Sequence, residues 1–162
     1  MNAKTIIRQI LCWPLFLGVL VILCVRAMWG DKLWWRDGVL FTRLRSTSWP
    51  MRSWYKGWGG TNMGGYAIML APNGDNETTI RHELHHTEQQ EASALAGLMV
   101  GIIAASIAHT GWGVPIFFMC WISAGWFAYL GAMLAAWLRG ENSYRGNHLE
   151  EGAYDATKAS GK

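Results

Sequence analysis

The sequence predicts a mainly α-helical membrane protein, in which a histidine-bearing helix and a short β-strand lie between an N-terminal transmembrane anchor and a transmembrane helical hairpin. Three observations predict this. Hydrophobic residues make up 51% of the 162 residues and charged residues only 15%, whereas about a quarter of an average soluble domain is charged. Residues 10–29 and 92–138 are apolar stretches long enough to cross a bilayer once and twice. Between them, residues 79–89 carry two histidines four positions apart.

Composition and charge narrow the class of protein further. The formal net charge of +3 is small, and basic residues beside a lipid bilayer account for it without a nucleic-acid partner. The three cysteines, Cys12, Cys24 and Cys120, all lie in apolar runs. An odd number of cysteines in such places argues against a disulfide framework, and none of them has metal-ligand spacing.

The N-terminal segment, residues 1–29, is predicted to be a membrane anchor. Residues 10–29 are apolar except for Arg26, and twenty residues of helix span about 30 Å. Lys4 and Arg8 precede this stretch, as in a signal peptide, but Arg26 is incompatible with a small-residue cleavage site. We therefore expect an uncleaved transmembrane helix.

A second segment, residues 30–91, begins with a tryptophan-rich and basic stretch. Six of the eleven tryptophans lie in residues 29–58, interleaved with lysines and arginines. These tryptophans are Trp29, Trp34, Trp35, Trp49, Trp54 and Trp58. Aromatic and basic residues together can bind single-stranded nucleic acid. Directly after a transmembrane helix, however, they favour a segment at the lipid headgroups, so we expect a lipid bilayer as partner and no nucleic acid.

A short β-strand is predicted over residues 65–70, ended by the turn residues 72–75. If one edge of this strand is open, a substrate peptide can add to it as an extra strand at Tyr66, Ala67 and Ile68. A strand that only packs against the following helix is the alternative. Asp75 or Asn76 can cap the start of that helix.

The helix after this strand carries the H-E-x-x-H motif, formed by His82, Glu83 and His86. Residues four apart lie on one face of a helix, so both imidazoles can reach one Zn²⁺ ion at about 2.0–2.1 Å. Glu83 can then accept a proton from a metal-bound water. His85 points about 100° around the helix from His86, which predicts a surface position or a supporting one.

The apolar stretch at residues 92–138 is predicted to form a transmembrane hairpin. It contains no Lys, Arg, Asp or Glu, and a turn at residues 109–113 separates helices near 92–109 and 114–138. Gly97, Gly101 and Ala105 have the spacing that allows close helix packing in lipid, and so do Gly131 and Ala135. His109 is predicted to be a turn residue without a functional role.

A hairpin of two crossings returns the chain to the side of the membrane that it left, so the C-terminal segment 139–162 shares a face with the histidine pair. Most Lys and Arg residues lie in 30–91 and 139–162, and none lies in the hairpin turn. The positive-inside rule therefore places the site on the cytoplasmic side of the inner (cell) membrane. The candidate third ligands in this segment are Glu141, His148, Glu150, Glu151 and Asp155.

The combination of H-E-x-x-H-x-x-Q with a downstream N-x-x-E-x-x-A-Y resembles the small zincin-like (gluzincin-type) metallopeptidase proteins of bacteria and phages, in which a glutamate is the third ligand. The matching residues outside the histidine pair are Gln89, Asn147, Glu150, Ala153 and Tyr154, with Tyr144 as an aromatic residue just upstream. The resemblance implies Zn²⁺ as cofactor, Glu150 as third ligand and Glu83 as general base. His148 stands where that family usually has proline, which raises the possibility of an extra histidine near the metal.

The layout also resembles the membrane zinc metalloproteases of the prenyl-protein-processing and heat-shock type, which carry E-x-x-A-D after a transmembrane stretch. Here Asp155 comes one position later than in that pattern. The match again implies Glu150 as the ligand. Glu151 remains the alternative, because Glu151 and Asp155 fit the E-x-x-x-D spacing of thermolysin-like sites.

These observations predict a membrane-bound zinc metallopeptidase that hydrolyses peptides or membrane proteins. Tyr144 or Tyr154 can donate a hydrogen bond to a developing oxyanion, and Asp155 can orient a histidine ligand. The alternative is a catalytically inactive zincin-like interaction protein with a structural zinc site. A fourth ligand, His148 or His85, would favour that alternative, because structural sites are closed.

Overall fold

The computed structural model describes residues 3–53, 55, 58–108, 111–144 and 146–159. Most of them are helical, as the sequence predicts, and the one predicted strand belongs to a small sheet of four short strands. The helices are α1 (Ala3–Leu11), α2 (Leu17–Trp29), α3 (Trp49–Arg52), α4 (Glu77–Ile107), α5 (Gly113–Leu138) and α6 (His148–Ala159). The strands are β1 (Gly30–Arg36), β2 (Val39–Leu44), β3 (Gly60–Asn62) and β4 (Ala67–Leu70).

The chain divides into two compact units, and each contains separate segments of sequence. The first unit comprises Met1–Leu15 and Gln89–Glu151, and the second comprises Phe16–Glu88 and Gly152–Lys162. The first unit therefore contains the helical hairpin, and the second contains the sheet. The division into four consecutive parts stays a prediction.

The sheet of the second unit has the strand order β1-β2-β4-β3. The β1–β2 hairpin turns at Asp37 and Gly38, which both have positive φ, as the tight hairpin turns require. β4 pairs in parallel with β2 and antiparallel with β3. The strand predicted over residues 65–70 is thus confirmed at Ala67–Leu70. A substrate peptide at Tyr66, Ala67 and Ile68 required an open edge, and that condition is not met, because both sides of β4 are already paired.

Helix α2 packs on this sheet. Ile22 and Val25 are buried against a group of apolar residues from the strands and their connections, namely Leu40, Leu44, Tyr55, Ala67, Met69 and Ala71. The opposite face of α2 is apolar as well, since Leu20 and Leu23 are exposed. Because both faces of α2 are apolar, its sequence resembles that of a membrane-spanning segment.

The predicted single helix over residues 10–29 is wrong. Helix α1 ends at Leu11, a 3₁₀ turn covers Trp13–Phe16, and α2 then has 13 residues. Pro14 lies in this turn, and proline has no N–H to continue a helical ladder. A helix of that length spans only about 20 Å, which is too short to cross a bilayer alone.

The tryptophan-rich stretch forms the β1–β2 hairpin and α3. Trp34 stacks on Phe41 with ring centroids 5.4 Å apart, and the ammonium of Lys32 lies 4.7 Å from the Trp34 ring centroid. Trp35 and Trp49 are more than half exposed, at 52% and 55%. These exposed indoles are compatible with the predicted position at lipid headgroups, which stays a prediction; Trp54 lies outside the described residues.

Helix α4 runs without a break from Glu77 to Ile107. The predicted boundary near residue 92 is therefore wrong, because the motif helix and the first apolar helix are one element. α4 and α5 are both long and apolar enough to cross a membrane, by length and composition. The chain between them is described only at residues 108, 111 and 112, so His109 lies outside the described part.

The two hairpin helices approach each other closely where α4 has no side chain. A Cβ atom placed on Gly97 would lie 2.6 Å from the carbonyl oxygen of Cys120 and 2.5 Å from the Cβ of Ala124. A Cβ on Gly101 would lie 2.9 Å from the carbonyl oxygen of Phe117. The predicted close packing is confirmed at these two glycines, whereas a Cβ on Gly131 would meet nothing within 4 Å.

Helix α1 is held to α4 within the first unit by an ion pair. The guanidinium of Arg8 contacts the carboxylate of Glu91, and Glu91 is only 5% exposed. The thiol of Cys12 donates to the Glu91 carbonyl oxygen at 3.7 Å. Glu91 lies where the polar half of α4 ends and the apolar half begins. The ion pair with Arg8 therefore neutralises its charge at that boundary.

Candidate metal centre

The motif helix begins at an asparagine cap. The Oδ1 atom of Asn76 accepts a hydrogen bond from the backbone N–H of Thr79 at 2.9 Å, which satisfies one of the free amides at the start of α4. Of the two predicted caps, Asn76 is therefore confirmed. Asp75 instead accepts a hydrogen bond of 2.7 Å from the guanidinium of Arg43.

The two motif histidines face each other across one turn of α4. Their Nε2 atoms are 3.2 Å apart, and their ring planes are 89° apart. Two nitrogens bound at 2.0–2.1 Å to one tetrahedral ion would be about 3.3–3.4 Å apart. The observed separation of the His82 and His86 nitrogens is close to that value, so the pair can hold one metal ion in place of a shared proton.

Glu150 is the carboxylate that completes the group. The ligand atoms of His82, His86 and Glu150 all lie within 4.8 Å of one another, and no other such group of three is found among the described residues. Glu150 is only 2% exposed. It lies in the first turn of α6, which Asn147 caps by accepting the backbone N–H of Leu149 at 3.0 Å.

Two further side chains hold this turn of α6 within the first unit, and neither contact was predicted from the sequence. The hydroxyl of Tyr129 on α5 donates to Oε1 of Glu150 at 2.9 Å. The amide of Gln89 on α4 donates to the carbonyl oxygen of Leu149 at 2.8 Å. The sequence signal for Tyr129 is a phenol in an otherwise strongly apolar helix, and such a polar tip usually has a partner.

Of the two tyrosines predicted to assist the reaction, the structure places one beside a motif histidine. The Tyr154 ring lies 4.6 Å from the His82 ring, centroid to centroid, and 49% of Tyr154 is exposed. Tyr144 is 39% exposed and lies in the loop before α6, where its backbone N–H donates to Oδ1 of Asn142.

Two of the other predicted acidic residues, Glu151 and Asp155, lie on the exposed face of α6. Glu151 is exposed, and it is not part of the group that contains Glu150. The carboxylate of Asp155 is 3.2 Å from the ammonium of Lys158, so Asp155 has a surface partner in place of a histidine ligand. The geometry thus favours Glu150 over Glu151 as third ligand.

The two histidines considered as a fourth ligand are also outside the group. His85 lies 3.4 Å from the carboxylate of Glu88 on the same helix. His148 is exposed at the first position of α6. The group of described residues therefore offers three protein ligands.

The motif glutamate is buried beneath β3. Glu83 is 4% exposed, and a Cβ placed on Gly60 would lie 2.9 Å from both its Cγ and its Oε1 atoms. The missing side chain at Gly60 is what leaves room for this carboxylate. Burial raises the pKa of the Tyr55 hydroxyl, the hydrogen bond to Thr61 lowers this pKa, and the nearby charge of Glu83 raises it.

A hydrogen-bond network fixes the turn between β3 and β4 to α4. The Asn62 amide nitrogen donates to Oγ1 of Thr87 at 2.8 Å, and that hydroxyl donates to the carbonyl oxygen of Gly65 at 2.8 Å. Oδ1 of Asn62 accepts the N–H groups of Gly64 and Gly65. Since Thr87 directly follows His86, this network sets the position of the histidine pair on the sheet.

Asn62→Ala is therefore expected to lower the free energy of unfolding by about 1–3 kcal/mol, because it leaves buried partners unsatisfied. For a chain of this size, about 2–4 °C of melting temperature is lost per kcal/mol. Thermal unfolding of the purified protein measures the change. Asn73→Ala, at an exposed turn position, is the matched control, and equal melting temperatures for both variants would contradict the role of the network.

The donor set as a whole consists of two imidazole nitrogens and one carboxylate oxygen, a combination that suits Zn²⁺. Three protein ligands leave a further position for water, which is typical of catalytic rather than structural zinc sites. The chain matches no family model, no curated protein and no solved structure. The geometry of the described residues is thus what supports a function.

Proposed function

We propose that this protein is a membrane-bound zinc metallopeptidase of the gluzincin type. The observation that carries the proposal is the group of His82, His86 and Glu150, whose ligand atoms lie within 4.8 Å of one another. These three residues would hold the zinc ion. A buried glutamate, Glu83, stands next to the first ligand in the chain and would act as general base.

A bound zinc ion would acidify a water molecule toward neutral pH and polarise the substrate carbonyl. Glu83 accepts the proton of the attacking water and then delivers it to the amine nitrogen that leaves. The burial of Glu83 beside Gly60 holds its carboxylate in one place. Tyr154, whose ring lies 4.6 Å from that of His82 at an interplanar angle of 47°, presents a hydroxyl that can donate to the oxygen on which negative charge develops.

The substrate is proposed to be a peptide, or an extended segment of a membrane protein, that adds to the edge of β3. Among the residues that the structure describes, strand β3 is last in the sheet order and pairs with β4 alone. Its residue Gly60 lies directly against Glu83. A peptide bonded to the free side of β3 would pass the general base, which replaces the earlier expectation that the substrate pairs with β4.

The protein is proposed to reside in the inner (cell) membrane, with α4 and α5 crossing it. Lys and Arg are concentrated in residues 30–91 and 139–162, and residues 108–112 between the helices carry none. The positive-inside rule then assigns the metal site to the cytoplasmic side.

Metal content of the detergent-purified protein tests the proposed site. We expect about one zinc per chain in the wild type, because the three ligands form one group. His86→Ala and Glu150→Ala should lose most of it, whereas Glu151→Ala should keep it, since Glu151 is exposed and outside the group. A wild-type protein without zinc, or loss in Glu151→Ala but not in Glu150→Ala, would contradict the assignment.

A further inference from the structure

We propose that Tyr129 is a positioning residue for the third metal ligand. Its hydroxyl donates to Oε1 of Glu150 at 2.9 Å, and it comes from α5, one of the two helices able to span a membrane. The inference rests on the proposed function, since it assigns a role toward the zinc that Glu150 would hold. It adds a residue that is neither in the histidine motif nor in the C-terminal segment.

The hydroxyl of Tyr129 differs from that of Ser123 on the same helix in its hydrogen-bond partner. Helix α5 contains no charged residue, and Ser123, another hydroxyl on it, donates to the carbonyl oxygen of Met119 within the same helix. Tyr129 instead reaches a carboxylate on a different helix. This hydrogen bond is partly buried, and a hydrogen bond to a carboxylate is roughly twice as strong as one between neutral groups.

The hydrogen bond has a direct consequence for the carboxylate. Glu150 is 2% exposed, and one of its oxygens is engaged by Tyr129, so the side chain cannot rotate freely about its last bond. With Oε1 accepting this hydrogen bond, we expect Glu150 to bind the metal through Oε2 as a single donor. Partners of this kind orient ligands, and their removal typically weakens metal binding by about 10–100-fold.

Glu150 is held from the backbone side as well. The amide of Gln89 donates to the carbonyl oxygen of Leu149, the residue before Glu150, and Asn147 caps the same turn. Gln89 and Asn147 fix the main chain, whereas Tyr129 fixes the carboxylate. Loss of the phenol hydroxyl should therefore change the metal ligand without displacing the turn.

The experiment compares Tyr129→Phe with the wild type as full chains in detergent. Zinc affinity is measured by competition with a chromophoric chelator, and the visible spectrum is recorded after loading with Co²⁺. We expect zinc to bind about 10–100-fold more weakly and the cobalt spectrum to shift, because a freed carboxylate can bind through both oxygens. Ser123→Ala, which removes a hydroxyl from the same helix, should match the wild type in both measurements.

A second variant separates positioning from a general loss of structure. In a Glu150→Ala background, adding Tyr129→Phe should not weaken the residual zinc binding further, because the hydroxyl then has no ligand to orient. Wild-type affinity and an unchanged cobalt spectrum in Tyr129→Phe would overturn the positioning role alone, provided that His86→Ala loses zinc. A further loss in the Glu150→Ala background would also overturn it, and a wild type without zinc would overturn the proposed function itself.

Discussion

Replacing Glu83 with glutamine is expected to abolish peptide hydrolysis while zinc stays bound. Glutamine has the same shape, so it fits the space beside Gly60, but its amide cannot accept the proton of the attacking water. General bases contribute about 10²–10⁴-fold to rate, and a loss of at least that size is expected. Cleavage of a mixture of fluorescence-quenched peptides by the purified protein measures it, with metal content determined on the same samples.

The matched control for this variant is Glu88→Gln. Glu88 is an exposed glutamate on the same helix, 3.4 Å from His85 and outside the ligand group, so its replacement should leave hydrolysis unchanged. Activity retained in Glu83→Gln would exclude the proposed mechanism. A wild type that binds zinc but cleaves none of the peptides would favour the inactive interaction protein with a structural metal.

Gly97→Leu is expected to separate the two helices of the hairpin. Any Cβ at this position meets the carbonyl oxygen of Cys120 at 2.6 Å, and backbone atoms cannot move aside as a flexible side chain can. Overpacking typically costs about 1–3 kcal/mol and occasionally more, and the upper end is expected here because the obstacle is main chain. Thermal unfolding in detergent, together with protease sensitivity, measures the loss.

Gly131→Leu is the matched control, because it places the same side chain on the same hairpin where nothing lies within 4 Å. We expect the melting temperature of that variant to remain near the wild-type value. Equal destabilisation of both variants would show that the cost comes from glycine replacement in general. An unchanged Gly97→Leu protein would contradict the close helix contact.

The histidine pair could be predicted because its geometry is local: residues four apart on a helix share a face whatever surrounds them. The position of Glu150 is not local, and sequence reasoning placed it through the downstream motif. Tyr129 was missed because only tertiary packing brings it to Glu150. No spacing in the sequence connects a phenol of an apolar helix with a carboxylate 21 residues later.

The incorrect predictions for residues 10–29 and for the edge of the sheet have the same cause, because both features depend on tertiary contacts. Hydropathy at residues 10–29 cannot distinguish a helix surrounded by lipid from one that packs on a sheet. It also does not show the break in the helix at Pro14. The sequence does not show that β4 has a strand on both sides, because β3 has only three residues, Gly60–Asn62, too few to show an alternating pattern. Which strand is central depends on pairing between distant segments.

The ion pair between Arg8 and Glu91 has a consequence for biogenesis. Arg8 precedes Glu91 by 83 residues, so the cation is synthesised long before the carboxylate that it neutralises. When the ribosome delivers α4, a counter-ion is already available at the point where the helix turns apolar. An acidic residue beside a membrane-inserting segment is costly when it stands alone, so early synthesis of α1 would spare the nascent chain that cost if α4 crosses the membrane as proposed.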